Sequence, residues 1–201
     1  MNPALRSALR RLGWGLVFPL VDVHIVLVDA LPDLIGYLLI VSALRRLGAG
    51  HEGVKAAIWL AVALALLSVA QLVFNASINI NQFATAPLAI HVYVQAAIIL
   101  HGLLAYRIFQ ILYRIAGPIA PPPLKDAIVS RRNYYMAVFA AQLFFYPFLL
   151  NIDESWIMLL LALQLCFMLA EFLLIRLPFR MSRIRHKPPA DRGENLASEP
   201  Q

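Results

Sequence analysis

Residues 12–46 read LGWGLVFPLVDVHIVLVDALPDLIGYLLIVSALRR, two short apolar runs around a centre that carries Asp22, His24, Asp29, Pro32 and Asp33. An apolar stretch this long belongs in a membrane, yet three carboxylates near its middle would each cost about 2.5–3.5 kcal/mol at a helix centre in hydrocarbon. A bent hairpin with a polar tip removes most of that cost. Asp29 is placed to cap the returning helix, and Pro32 sits in its first turn, where a missing N–H costs nothing. Each arm spans only about 22–26 Å at 1.5 Å per residue, against a hydrocarbon core of about 30 Å. The hairpin therefore either re-enters or crosses with local thinning. Both of its ends lie on one side in either case.

The rest of the chain supports the same class. It has 201 residues, of which 61% are hydrophobic and 14% charged, and a mean hydropathy of +0.74. A soluble domain carries roughly 25% charge. There is room for about five or six crossings and one domain. The net charge of +6 does not imply nucleic acid, because the basic residues border apolar runs and form no separate basic domain. They suit topology signals and a surface for anionic lipid heads. The single cysteine, Cys166, excludes a disulfide framework within the chain. Arg6, Arg10 and Arg11 precede an apolar run as in a cleaved leader, but Asp22 and the want of a small-residue cleavage site argue against one.

Beyond the hairpin, a loop with Gly48, Gly50 and Gly53 leads to apolar runs at 56–80, 88–113, 134–152 and 155–176. The segment 114–133, with Pro118 and Pro121-Pro122-Pro123, reads as a stiff inner linker outside any helix. Pro147 predicts a kink, and Asp153 and Glu154 an outer turn. Residues 1–176 thus form one transmembrane domain and 177–201 a disordered basic and polar cytoplasmic tail. Lys and Arg number three before residue 12, three in 45–55, five in 107–132 and six from 176 onward, which accounts for all 17. Every cation then falls on one side, so the positive-inside rule places both termini inside. Trp59, Tyr113, Tyr134, Tyr135 and Trp156 fall near the interfaces, as aromatic anchors. The expected fold is an all-α polytopic membrane protein, a hairpin plus four transmembrane helices, N-in and C-in.

Asp22 lies about 16 Å into the first arm when counted from Arg11. Similar counting brings Gln142, Gln164 and His101 toward the same depth, as one polar layer. An intramembrane carboxylate with a nearby histidine is the material of a proton relay or a cation site. The plainer alternative is a water-reached hairpin, with the glutamines joining helices by hydrogen bonds. Asp22, His24, Asp29 and Asp33, joined by His91, have the donor types that suit zinc or manganese, but their spacing matches no metal signature and Asp29 is explained as a cap. His91 and His101 are ten apart and face different directions on one helix. Glu171, five residues before Arg176, reads as snorkelling to pair with it. There is no G-x-S-x-G, H-E-x-x-H, Walker loop or C-x-x-C, which weighs against an enzyme, and nothing calls for a cofactor.

The string Asp29-Ala-Leu-Pro-Asp-Leu-Ile-Gly-Tyr-Leu-Leu-Ile40, with an Asp a few residues earlier, resembles a signature of the type D-x-L-P-D-x-I-G-Y-x-L-I. That signature occurs near the N-terminus of a group of small uncharacterised bacterial multi-pass membrane proteins. The resemblance covers about twenty residues and implies a multi-pass protein of the bacterial plasma membrane. It points to Asp22, Asp29, Pro32, Asp33, Gly36 and Tyr37, and it carries no activity with it. The polar-centre candidates are therefore Asp22, His24, Asp29, Asp33 and His101, with Pro32, Gly36 and Tyr37 as signature positions. Three functions fit: a small transporter-like or ion- or proton-handling protein, a non-catalytic subunit or scaffold, or an embedded enzyme acting on a lipid-linked substrate. The expected partners are the bilayer, anionic lipid heads, and a membrane-protein partner or a second copy.

Overall fold

The computed structural model describes residues 2–20, 30–48, 53–74, 87–119, 121–151 and 157–184. Among these there is no strand. Six α-helices follow in order: α1 (Pro3–Leu20), α2 (Ala30–Leu47), α3 (Val54–Phe74), α4 (Leu88–Ile119), α5 (Pro122–Phe145) and α6 (Ile157–Ser182). Each packs on the next, and α6 returns to pack on α1, which closes a ring; α6 also touches α4 across it. The contacts run antiparallel. Arg11 and Gly15 of α1 meet Ser42 and Ile40 of α2, and Gly102 and Phe109 of α4 meet Phe139 and Tyr135 of α5.

Helix α1 starts at Pro3, so the basic residues Arg6, Arg10 and Arg11 lie within it. The reason is visible in its buried stripe of Ala8, Leu9, Leu12 and Leu16, and Asn2 accepts the Ala4 N–H through its side-chain oxygen at 3.0 Å. The 18 residues of α1 span about 27 Å. Where α1 crosses α2, Gly15 and Gly36 face each other. A Cβ on Gly36 would lie 2.8 Å from both Phe18 Cβ and Pro19 Cδ and 2.9 Å from the Gly15 carbonyl oxygen. Gly48, just past α2, and Gly53, just before α3, both have φ of +90°, which turns the chain at no steric cost to glycine.

Two expectations need correction. The segment 114–133 is helical except at its middle: α4 runs on to Ile119, and α5 begins at Pro122. The three prolines do not form a spacer. Pro121 is the N-cap, with φ −65° and ψ 152°, and the next two occupy the first turn, where no N–H is needed. The expected unstructured tail also does not begin at 177, because α6 continues through Pro178 to Ser182, with Leu177, Pro178 and Met181 buried. Residues 185–201, most of the expected tail, lie outside the described residues. At Pro147, α5 has already tightened into a 3₁₀ helix, Tyr146–Asn151.

Among the described residues, two helices are long and apolar enough to cross a membrane, over Leu88–Gly117 and Leu161–Ser182, and Val54–Ala70 is a shorter apolar stretch. The exterior is apolar as well. Along α6, Leu161, Leu165, Met168 and Phe172 form one exposed stripe, and Trp59 on α3 is 73% exposed. The described Lys and Arg cluster toward one end of the ring, at the starts of α1, α3 and α5 and in the later parts of α2, α4 and α6.

Candidate functional site

Near the middle of the ring, four helices each contribute one polar side chain to a connected chain. His101 of α4 is its hub. Its Nδ1 lies 3.1 Å from Tyr37 Oη on α2, and its Nε2 lies 2.8 Å from Glu171 Oε1 on α6. Tyr135 of α5 donates its hydroxyl to the same Glu171 oxygen at 2.5 Å. Tyr135 is wholly buried, Glu171 and Tyr37 nearly so, and the His101 side chain keeps 16% exposure.

Local packing explains the geometry. Gly102 lets the Phe139 ring sit directly on the α4 backbone, since a Cβ there would come 2.2 Å from the ring. That close approach brings Tyr135, one turn from Phe139, across to α6. The Tyr135 ring is held between Phe109 and Phe167, at centroid distances of 5.7 and 5.9 Å. Toward the basic end, Arg131 donates to the Leu173 carbonyl at 3.2 Å, tying α5 to α6 near Pro178. Burial, then the neighbouring Arg176 and Arg180, push its pKa below the usual guanidinium value.

The hydrogen-bonding pattern accommodates a mobile proton. Glu171 as carboxylate accepts from His101 Nε2–H and from Tyr135, while Nδ1 accepts from the Tyr37 hydroxyl. An added proton on Nδ1 needs only that the Tyr37 hydroxyl turn and accept. With Nδ1 protonated, the Nε2 proton can pass to Glu171, which leaves a neutral ring with Nε2 as the acceptor. Histidine and carboxylate are the pair that exchange protons in this way.

A second polar layer lies toward the other end. His91 Nδ1 is 3.3 Å from Tyr146 Oη, and Tyr93 donates to the Leu67 carbonyl at 2.6 Å. Between the His91–Tyr146 and Gly102–Phe139 contacts, the antiparallel register sets Gln95 level with Gln142. Each has a buried carboxamide oxygen with no hydrogen-bond partner among the described residues. Asp33 sits half-buried in the first turn of α2.

Of the expected polar centre, His101 and Asp33 lie among the described residues, on α4 and α2, and Tyr37 is bonded to His101. Asp22, His24 and Asp29 lie outside the described residues, and so does any layer or cation site built on them. Pro32 is in the first turn of α2, and Gly36 is at the α1–α2 crossing. His91 and His101 serve separate contacts. Gln164 is exposed and does not join a layer with His101.

Glu171 does not pair with Arg176. Five residues turn a helix by about 140° past one revolution, so the two point apart; the Arg176 guanidinium lies over the Phe172 ring at 5.7 Å instead. Tyr135 is not an interfacial anchor. It and Tyr134 are adjacent and so about 100° apart on the helix, and only one of them can face outward. No group of three His, Cys, Asp or Glu placed to hold a metal occurs among the described residues. The chain matches no family model, no curated protein and no solved structure.

Proposed function

We propose that this chain is a polytopic inner-membrane protein of bacteria, N-in and C-in, that handles protons or small cations through the Tyr37–His101–Glu171–Tyr135 chain. The observation that carries this reading is the carboxylate–imidazole pair at 2.8 Å, held in the interior by side chains from four helices. Ionisable groups are expensive inside a membrane and mark ion pathways or proton relays there. The apolar exterior and the gathering of cations at one end support the membrane setting. Asp33, Tyr93, Gln95 and Gln142 extend the polar interior toward the other end. The 29–40 signature, with its likeness to small bacterial multi-pass proteins, agrees with the location.

The test is flux in a pure system. The protein is reconstituted into liposomes enclosing a pH-sensitive dye, and a potassium diffusion potential is applied. Wild type should move protons in response to the potential and so change the interior pH, and Glu171→Gln should not. Equal flux in wild type, Glu171→Gln and empty liposomes would overturn the reading. The side-chain chain would then act as a clamp between helices, which suits a non-catalytic membrane subunit.

A further inference from the structure

We propose that Gln95 of α4 and Gln142 of α5 together bind one buried water molecule, through which protons pass between the two polar layers. Three contacts define the faces that these helices turn to each other: His91 with Tyr146, Gly102 with Phe139, and Phe109 with Tyr135. At about 100° per residue, the three α4 members fall within about 20° of one another, and Gln95 lies about 40° from His91. On α5, Gln142 lies within about 60° of Tyr135, Phe139 and Tyr146 by the same count. Both glutamines thus belong to the α4–α5 interface. The carboxamide oxygen of each is buried and accepts no hydrogen bond from the described residues.

Two facing acceptors cannot satisfy each other, and a buried acceptor left unmet is costly. They call for one donor with two polar hydrogens. Water is the smallest such group, and buried waters characteristically bridge polar atoms in this way. A metal ion would need more oxygens than these two, and no group of three His, Cys, Asp or Glu among the described residues is placed to supply them.

Along α4 the pair stands about 6 Å from His91 and about 9 Å from His101, so it divides the path between the layers. A proton accepted by the bound water makes hydronium. Two of its O–H bonds are held by the carboxamide oxygens, whose partial negative charge favours the cation. The third releases a proton onward and restores water. The step to His101 is about three hydrogen-bond lengths, which a short file of further waters covers. The His101 side chain keeps 16% exposure. The proton passage rests on the function proposed above; the water site does not.

The experiment is solid-state NMR on the full-length protein in liposomes, with isotopic carbon and nitrogen in glutamine alone. Gln95→Met and Gln142→Met, which keep side-chain length without a carboxamide, assign the two signals. The Gln110 and Gln164 signals report that each variant folds as wild type does. Magnetisation from water protons should reach both carboxamide carbons in wild type. In Gln142→Met, Gln95 should lose most of that transfer, because the shared water leaves. Transfer to Gln95 that persists there would mean separate hydration, and its absence in wild type would mean a dry site. A correlation between the side-chain nitrogen of one glutamine and the carboxamide carbon of the other would mean a direct bond. Each of these three results overturns the site.

The passage is read by flux. Gln95→Met/Gln142→Met should slow proton movement about tenfold while leaving the His101–Glu171 pair in place. Unchanged flux would overturn the passage. A wild type without flux removes the passage together with the function proposed above, and the NMR transfer still decides the water site.

Discussion

Removing the Tyr135 hydroxyl takes one bond from Glu171 while keeping the ring between Phe109 and Phe167. Tyr135→Phe should therefore cost about 0.6–1.7 kcal/mol, the usual range for interhelical hydrogen bonds in membrane proteins. Glu171→Leu should cost more, about 3–5 kcal/mol, because it strands the His101 and Tyr135 donors together. Both are measured by reversible unfolding in mixed micelles. A double-mutant cycle separates the contacts: His101→Ala and Glu171→Gln should couple by about 0.5–3 kcal/mol. Tyr146→Phe, bonded to His91 some 15 Å away along α4, should add to Glu171→Gln within about 0.5 kcal/mol. From the chain alone, His101 stands out as a histidine within an apolar run, and Tyr37 through the 29–40 string. Glu171 is hidden by its proximity in sequence to Arg176, and Tyr135 by a tyrosine neighbour that suits an interface equally well. The order of helices around the ring decides both, and no local pattern encodes that order.

At the scale of helices, the α1–α2 crossing and the end of α4 make a contrasting pair of glycines. Gly36→Ala drives a Cβ into Pro19 and the Gly15 backbone, neither of which can rotate away. It should destabilise by about 1–3 kcal/mol. Gly117→Ala meets nothing within 4 Å and should be neutral or stabilising by up to about 1 kcal/mol, through helix propensity alone. Thermal unfolding of the detergent-solubilised protein checks both; similar losses would remove the close-approach explanation. Prolines were the poorest guide to helix limits. The run at 121–123 is read as a spacer when only helix interiors are considered, yet a first turn needs no N–H from those positions. The last apolar run is read as ending at 176, but α6 continues past Pro178, with Leu177 and Met181 packed on either side of it and Arg131 bonded to the Leu173 carbonyl.

Over the whole molecule, the cations mark one end of an antiparallel ring. Impermeant maleimide should label single cysteines replacing Lys55, Arg114 and Lys125 from one side of sealed membranes in a Cys166→Ala background. One at Leu88 should be labelled from the other. Labelling of the four from a single side would exclude the alternating arrangement in a bilayer. This pattern is legible in the chain because charge position survives any rearrangement of helix neighbours. The closure of α6 on α1 is not legible, because an apolar face suits lipid and protein alike.

That closure rests on small features, with the Phe179 ring seated on Gly13 and standing edge-on to Trp14 at 5.8 Å. It has a consequence for biosynthesis. A ribosome delivers α1 first and α6 last, so the Gly13 notch stays open while four intervening helices emerge. Until α6 emerges, the nascent protein is an unlatched arc whose leading edge is available to chaperones and proteases. A chain cut short before residue 157 keeps that edge open for good, and quality control can recognise it by that feature alone.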